Sequence, residues 1–475
     1  MRGTYSLTAS IALLLLGQHA GLTAQNLLVH GGTVVTSEGS FEADLLVRAG
    51  VIAAVGQDLS AESSVRRIDA SGLLVLPGGV DPHVHLGGRW VDDYRTGSMA
   101  ALAGGITTIS NFASAGRGSD LTEVIDRQAA LIVQQAIADV ILHTTINDPE
   151  AHAPQMGALA ATGQTSIKIF MNFGGFDPNA SAFLQMIAAA GDAGVLTMIH
   201  AEDASILANQ AAELEAQGRT SVAYQPEARP ALAEEVAMMR AVAMAEQTGS
   251  PVYAVHVSSE RALRVAQAAR ARGLPFFIET RPIYLHLTRE RFDGPDAGLY
   301  VGQPPLREQS DQDALWEALA NGTIDVVGTD HVAYSREDKL DPSQTITNHR
   351  AGMNHLQMLR PLLFSDGVLT GRISVERFVE VTATNPAKLF GIFPEKGTIA
   401  VGSDADLVLW DPEETRTVRD QDMLSATGFS IYAGWEVTGW PVVTLRRGEV
   451  VFEGGEITGQ AGTGRLLERS RWEER

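Results

Sequence analysis

Two histidines one residue apart, His83 and His85, end the stretch "LPGGVDPHVHLGG" (76–88), an apolar run that stops on glycines and also carries Asp81. Imidazole nitrogens at that spacing suit a divalent cation. The chain has 12 histidines in 475 residues, and random placement gives about 0.3 such pairs, so the pair alone is weak evidence. Residues of the same chemical kind recur further along, however. Lys168 lies within "SIKIFMNF", His200 ends "VLTMIH", His256 ends "VYAVH" and Asp330 closes "IDVVGTD".

The elements that must position these residues can be read from the same runs. Short apolar stretches appear at "LLVLPGGVDPHVH", "GITTISNF", "DVILHTTI", "SIKIFMNF", "VLTMIHAE", "PVYAVHVSS", "PFFIETRP" and "IDVVGTDH". Most are separated by Ala-rich segments with helical spacing, such as "LTEVIDRQAALIVQQAI" and "SERALRVAQAARARG". Eight strands alternating with helices, and no G-x-G-x-x-G after the first, predict an α/β chain with a closed (β/α)8 TIM barrel. Residues 202–250 are longer than one crossover needs and predict extra helices. Chemistry in such a barrel gathers at the C-terminal ends of the strands. His83, His85, Lys168, His200, His256 and Asp330 would then meet at one mouth. One histidine on an apolar strand reads most simply as a hydrogen-bonded core residue. Six polar groups in matching places do not, because each buried charge would need its own compensation.

Lys168 is the unusual member. A protonated lysine among imidazoles is costly and repels cations, whereas carboxylation by carbon dioxide makes it an anionic, two-oxygen ligand. Two divalent metal ions bridged by that group could share a hydroxide at neutral pH. Asp330 would bind one metal and, as the catalytic base, take the proton during attack. His143 and His331 read as supports rather than ligands.

Composition bounds the rest. The chain is 45% hydrophobic and 20% charged with a net charge of −21, which lacks the basic footprint that nucleic acid or an anionic membrane requires. There is no cysteine, so disulfides, thiolate ligands and lipoprotein anchoring are excluded. Residues 1–25 read as a signal peptide: Arg2 precedes the short apolar "SIALLLLG", and small residues follow in "HAGLTAQ". That run is too short for stable membrane insertion and predicts an exported, periplasmic or secreted protein. Hairpin-like texture at 26–75 returns at 395–460, predicting a small β-sandwich domain built from both chain ends around a barrel at 76–394. The charged tail, 461–475, reads as either frayed or a packed helix.

Taken together, "LPGGVDPHVHL", "TGSMAALAGGITT", "SIKIFMNF", "VLTMIHAED", "VYAVHVSS", "GTDH" and "VTATNPAKLFGIFPEKGTIAVGSDADLVLWDP" resemble the amidohydrolase superfamily, and within it the dihydropyrimidinase/hydantoinase group. The resemblance implies one metal on His83, His85, Lys168 and Asp330, and another on Lys168, His200 and His256. Zinc is the usual occupant, with manganese, nickel and cobalt as alternatives. It also implies a small-molecule substrate, opening of a cyclic ureide or imide, and a homo-oligomer, commonly a tetramer or dimer. Several substrate-reading positions depart from the group. Phe173 stands where a tyrosine usually helps hold the oxyanion, Arg281 where a small residue is usual, Ala351 where an asparagine is expected, and Gly87 where dihydroorotases place an arginine. Arg281 and Arg89 could each pair with a substrate carboxylate, although a structural ion pair or solvent exposure is the simpler reading of either. Tyr284 or Tyr94 could replace the missing phenol. The changed positions keep two alternatives open, a hydrolase of linear N-acyl amino acids or dipeptides and a non-catalytic dihydropyrimidinase-related scaffold, with a lactone or phosphoester substrate a weaker third.

Overall fold

The protein, described here by a computed structural model covering residues 26–173 and 175–472, is organised around eight parallel strands. They are Gly79–Asp81, Ile106–Ser114, Asp139–Thr145, Ser166–Phe170, Leu196–His200, Val252–Ala254, Phe276–Thr280 and Val326–Val327, and each hydrogen-bonds to the next in chain order. Their residues are almost all buried, as expected of parallel strands covered on both faces. The circle closes at its mouth rather than along its length. Just past the first and eighth strands, Val84–His85 and His331–Val332 pair in parallel, His331 opposite Val84 and Val332 opposite His85. Thr329 bolts the same joint: its N–H and hydroxyl donate to the Asp81 carboxylate at 3.1 and 2.6 Å. The barrel is therefore tightest where its first and last strands present their chemistry.

Helices between the strands start where the sequence supplies an acceptor for their free N–H groups. Asp120 caps Leu121–Gln135 and Ser259 caps Glu260–Ala271. Residues 202–250 do contain additional helices, Ala204–Ala216, Gln225–Ala228 and Ala231–Thr248. No described helix is long and apolar enough to cross a membrane. The signal-peptide segment 1–25 lies outside the described residues.

Both chain ends build one nine-stranded sheet. Five N-terminal strands between Leu27 and Pro77 join four C-terminal strands between Leu407 and Ile457. The seam is the antiparallel pairing of Leu74–Pro77 with Leu407–Thr417, Pro77 opposite Leu407. The run "LLVLPGGVDPHVH" is thus divided, its first half belonging to this sheet and its second to the barrel. Leu27, Val29, Leu45, Ile52, Leu407, Leu409 and Leu445 form an apolar cluster separate from that of the barrel.

A buried charge cluster holds the two parts together. Lys396 Nζ lies 2.7 Å from Asp139 at the start of the third barrel strand, and 2.9 Å from both Asp404 and Asp406 before the C-terminal sheet strands. Burial would raise the Asp139 carboxyl, but Lys396, Arg447 and Arg446 overcome this and hold it below the ordinary carboxylate range. The final segment is neither frayed nor helical through residue 471. It runs extended beneath the barrel, with Leu467 N–H donating to Val140, Arg469 to Leu142 and Ser166, and Trp472 N–H to Gly194.

Removing one partner from a buried ion cluster leaves the others uncompensated, so Lys396→Met should lower stability by about 3–5 kcal/mol. With a depressed folded-state carboxyl, the lost contribution is the part present above about pH 4 and absent in strong acid. Denaturant unfolding of both proteins at neutral pH checks this; a difference below about 1 kcal/mol would contradict the role given to Lys396.

Candidate metal centre

Each of the six residues singled out from the sequence stands in or just after the C-terminal end of a barrel strand. His83 and His85 follow the first strand, Lys168 is in the fourth, His200 ends the fifth, and His256 and Asp330 follow the sixth and eighth. All six line one cavity of about 300 Å³, together with Arg89 and Phe173. His256 and Asp330 leave their strands with φ of 43° and 48°, a left-handed turn unusual for side chains with a Cβ. Such a conformation costs on the order of 1 kcal/mol or more and persists where surrounding contacts enforce it. At His256 the enforcing contact is its N–H, which donates to Glu279 at 2.9 Å.

The donor atoms are sorted by what holds their other ends. His83 Nδ1 is 2.7 Å from Glu279 Oε1, which as a carboxylate accepts the Nδ1 proton and leaves the Nε2 lone pair facing the cavity. Nε2 of His83 and Nε2 of His85 approach Asp330 Oδ1 at 3.2 and 3.0 Å. These three residues offer ligand atoms all within 4.8 Å of one another. His200 Nε2 is 2.7 Å from Glu202, leaving Nδ1 as its available nitrogen, and its ring lies 4.5 Å from that of His256. Lys168 Nζ reaches 3.5 Å from His83 Nε2, between the rings of Phe112 and Phe170.

Burial decides the charge states. It pushes all four imidazoles below the usual histidine range, with nearby Lys168 adding to the effect. They are therefore neutral, the form in which imidazole is a ligand. Burial also brings the Lys168 amine down to about 7, against the pull of Asp330 and Glu279. Asp330 goes the other way. Burial would raise it, but Arg281, His83 and His85 hold it well below the usual carboxylate range. A largely buried set of neutral imidazoles, one persistent carboxylate and an amine is a donor set that suits divalent cations with mixed nitrogen and oxygen ligation.

The structure separates the residues considered for substrate contact. Phe173 and Arg89 are in the cavity wall, as is Ala351. Arg281 is not among the lining residues. It is fully buried, with Nη1 3.1 Å from Asp330 Oδ2 and Nε donating to the Thr329 carbonyl at 2.8 Å. Tyr284 is likewise absent from the wall, its hydroxyl committed to the Pro304 carbonyl at 2.8 Å. Tyr94 is buried between Gln128 and Asn111. Neither phenol therefore stands in for the hydroxyl that Phe173 lacks. His143 bonds the Pro82 carbonyl and Ser166, and His331 bonds Asp92 at 2.9 Å, so both act as supports.

Sequence reasoning passed over the carboxylates behind the imidazoles. Glu279 joins His83, the His256 backbone and the Tyr253 hydroxyl, and burial raises its carboxyl to about 7. Glu202 joins His200 to a two-pronged contact from Arg229. The available signal was an acidic residue in an apolar strand, "FFIET", and another two residues past a strand-end histidine, "HAED". Such partners fix a ligand's tautomer and ring orientation.

Comparison with known proteins bears on the family and the overall fold. A model of the amidohydrolase family matches residues 74–451. The chain is 35% identical over 462 residues to a D-hydantoinase of Ralstonia pickettii, covering 94% of this chain and 100% of that protein. It is 36% identical over 451 residues to a D-phenylhydantoinase of Escherichia coli O1:K1, covering 93% and 98%. Among solved structures, the D-hydantoinase of Bacillus sp. AR9 matches with a TM-score of 0.90 at 36% identity, over 94% of this chain and 99% of that one. The L-hydantoinase (dihydropyrimidinase) of Arthrobacter aurescens matches at 0.86 and 32%, over 94% and 100%. With the family model covering the whole barrel and relatives aligned nearly end to end, this chain belongs to the amidohydrolase family.

Proposed function

We propose that the protein opens a cyclic ureide or imide by hydrolysing a ring amide bond, using two divalent cations held at the barrel mouth. The observation that carries this reading is the meeting of His83, His85, Lys168, His200, His256 and Asp330 in one buried cavity. The family is binuclear and metal-dependent, and hydantoinase relatives align over nearly their full length. His83, His85 and Asp330 would hold one cation, His200 and His256 the other, with Lys168 bridging them as a carbamate. The Lys168 amine, brought near 7 by burial, has a substantial neutral fraction, which is the form that attacks carbon dioxide. Zinc suits the donor set best.

Such cations would supply Lewis-acid polarisation of the scissile carbonyl and activation of water at neutral pH. The protein's own groups do the rest. Asp330 presents Oδ1 to the two imidazoles and Oδ2 to Arg281. A proton removed from the attacking water would be held at Oδ2 and passed to the departing ring nitrogen. Arg281 restrains that oxygen's orientation and weakens its basicity. Phe112, Phe170 and Phe173 keep the cavity apolar around the reacting bond. The intact set of six disfavours a scaffold role, while the changed positions Phe173 and Ala351 leave linear N-acyl amino acids as the second substrate class to test. The oligomer and the exported location belong to the same proposal; light scattering returning a monomer mass, or exported protein still beginning at Met1, would count against them.

Purified protein should carry about two divalent ions per chain, and a strong chelator should abolish hydrolysis of hydantoin or dihydrouracil. Lys168→Ala and Lys168→Arg should each lose metal and about a thousandfold or more of activity, since neither side chain can bridge. Elemental analysis finding two ions and near-normal turnover in Lys168→Ala would overturn the bridging role. Hydrolysis of N-acyl amino acids with all cyclic ureides and imides untouched would instead favour the linear reading.

Arg281 gives a separate prediction. Because it touches Asp330 and not the cavity, Arg281→Met should lower kcat for a ureide by about tenfold or more with little change in KM. Steady-state kinetics on folded, metal-loaded variant checks this. A raised KM at unchanged kcat would place Arg281 on the substrate.

A further inference from the structure

The cavity at the barrel mouth does not end at the metal-ligand residues. A second hollow of about 480 Å³ continues outward from it, and Arg89, Phe173, Gln303 and Ala351 line both. These four residues therefore frame a passage between the inner cavity and an outer vestibule. Arg89 is exposed on the loop after His85 and lies over the Trp90 ring, 5.4 Å from its centre. Arg350 is exposed in the vestibule wall. Neither arginine forms an ion pair with a carboxylate among the described residues.

The polar groups around Arg89 are arranged asymmetrically. Gln303 is fixed by its amide, which donates to His349 Nε2 at 3.0 Å, and His349 Nδ1 in turn donates to the Thr345 carbonyl. That imidazole is brought down to about 4, chiefly by burial, so it is neutral. The indole Nε1–H of Trp90 is buried with no acceptor among the described residues. The vestibule's acidic side chain, Asp338, accepts from the Ser335 hydroxyl at 2.8 Å. In a chain of net charge −21, the passage thus presents the Arg89 guanidinium without a carboxylate partner among the described residues, and beyond it Arg350, whose charge also acts on Asp341. A guanidinium stacked on an aromatic ring keeps its N–H edge free for a planar anion.

Resting on the ring-opening reading above, we propose that the substrate ring carries a short acidic arm and that Arg89, with Arg350 beyond it, reads the arm's carboxylate. The ring would sit over the six ligand residues while the arm passes outward through the opening bounded by Phe173 and Gln303. A neutral substituent of the same size would fill that opening but could offer the guanidiniums only an uncharged acceptor, the weaker partner. Arg89 is then a specificity residue of this chain, placed four positions beyond the second histidine of the metal site.

The test compares racemic hydantoin-5-acetic acid with its neutral counterpart hydantoin-5-acetamide on the metal-loaded protein. The ratio of kcat/KM is read where the rings open, and the ratio of Kd by calorimetry where they do not. The natural sequence should favour the acid by about five- to tenfold, a range suited to a partly exposed charge-assisted pair. Arg89→Lys should keep part of that preference, and Arg89→Glu should reverse it. A reversal requires folded protein, so it cannot arise from loss of structure. A ratio near one in the natural sequence, or one unchanged by Arg89→Glu, would overturn the inference while leaving ring opening intact. An Arg89-dependent preference in binding, with neither ring opened, would uphold the acidic-arm reader and overturn the ring-opening reading instead.

Discussion

Burial at the mouth of this barrel brings four imidazoles, an amine and a carboxylate together with little contact to solvent, and that burial governs everything around them. An uncompensated charge in such surroundings is expensive, so each group either loses its charge or is matched. The imidazoles lose theirs and become ligands. Asp330 keeps its charge because the Arg281 guanidinium lies 3.1 Å from its Oδ2. Lys168 cannot be matched by Asp330 as well, and burial drives its amine toward the neutral, carboxylatable form. One constraint thus accounts for ligand imidazoles, a persistent carboxylate and a reactive amine in the same cavity.

Holding this arrangement requires a rigid mouth, and the fold places its closure there. The pairing of Val84–His85 with His331–Val332, and the Thr329–Asp81 bonds beside it, tie the first strand to the last directly beneath the ligands. Left-handed turns at His256 and Asp330 aim two side chains inward at a conformational cost sustained by the Glu279 bond to the His256 N–H and by the closure on either side of Asp330. Further support arrives from Glu279, Glu202 and Arg229, which fix ring orientation from behind. At the opposite end, Lys396 joins barrel and sheet, and the C-terminal segment lies extended across the strand starts.

The ligand positions were legible in the sequence because each ends or interrupts an apolar run, and a strand ending is a local feature. The eight strands were legible for the same reason. What escaped were relations between distant elements. Arg281 reads equally well as a substrate-facing residue or a structural one until Asp330 is found 3.1 Å from it. Glu279 carries no signal beyond being acidic in an apolar strand, since its partners come from the first and sixth strands. The path of the tail likewise depends on acceptors at Leu142, Ser166 and Gly194 that periodicity within the tail cannot reveal. The division of "LLVLPGGVDPHVH" between two sheets was hidden because both halves are equally apolar.

Anomalous diffraction at the absorption edge of the bound metal tests the central claim most directly. The account predicts two peaks in the barrel mouth, one against His83, His85 and Asp330 and one against His200 and His256, joined by density continuing from Lys168 Nζ. A crystal of active protein with no peak in that cavity, or with metal only elsewhere on the molecule, would contradict it.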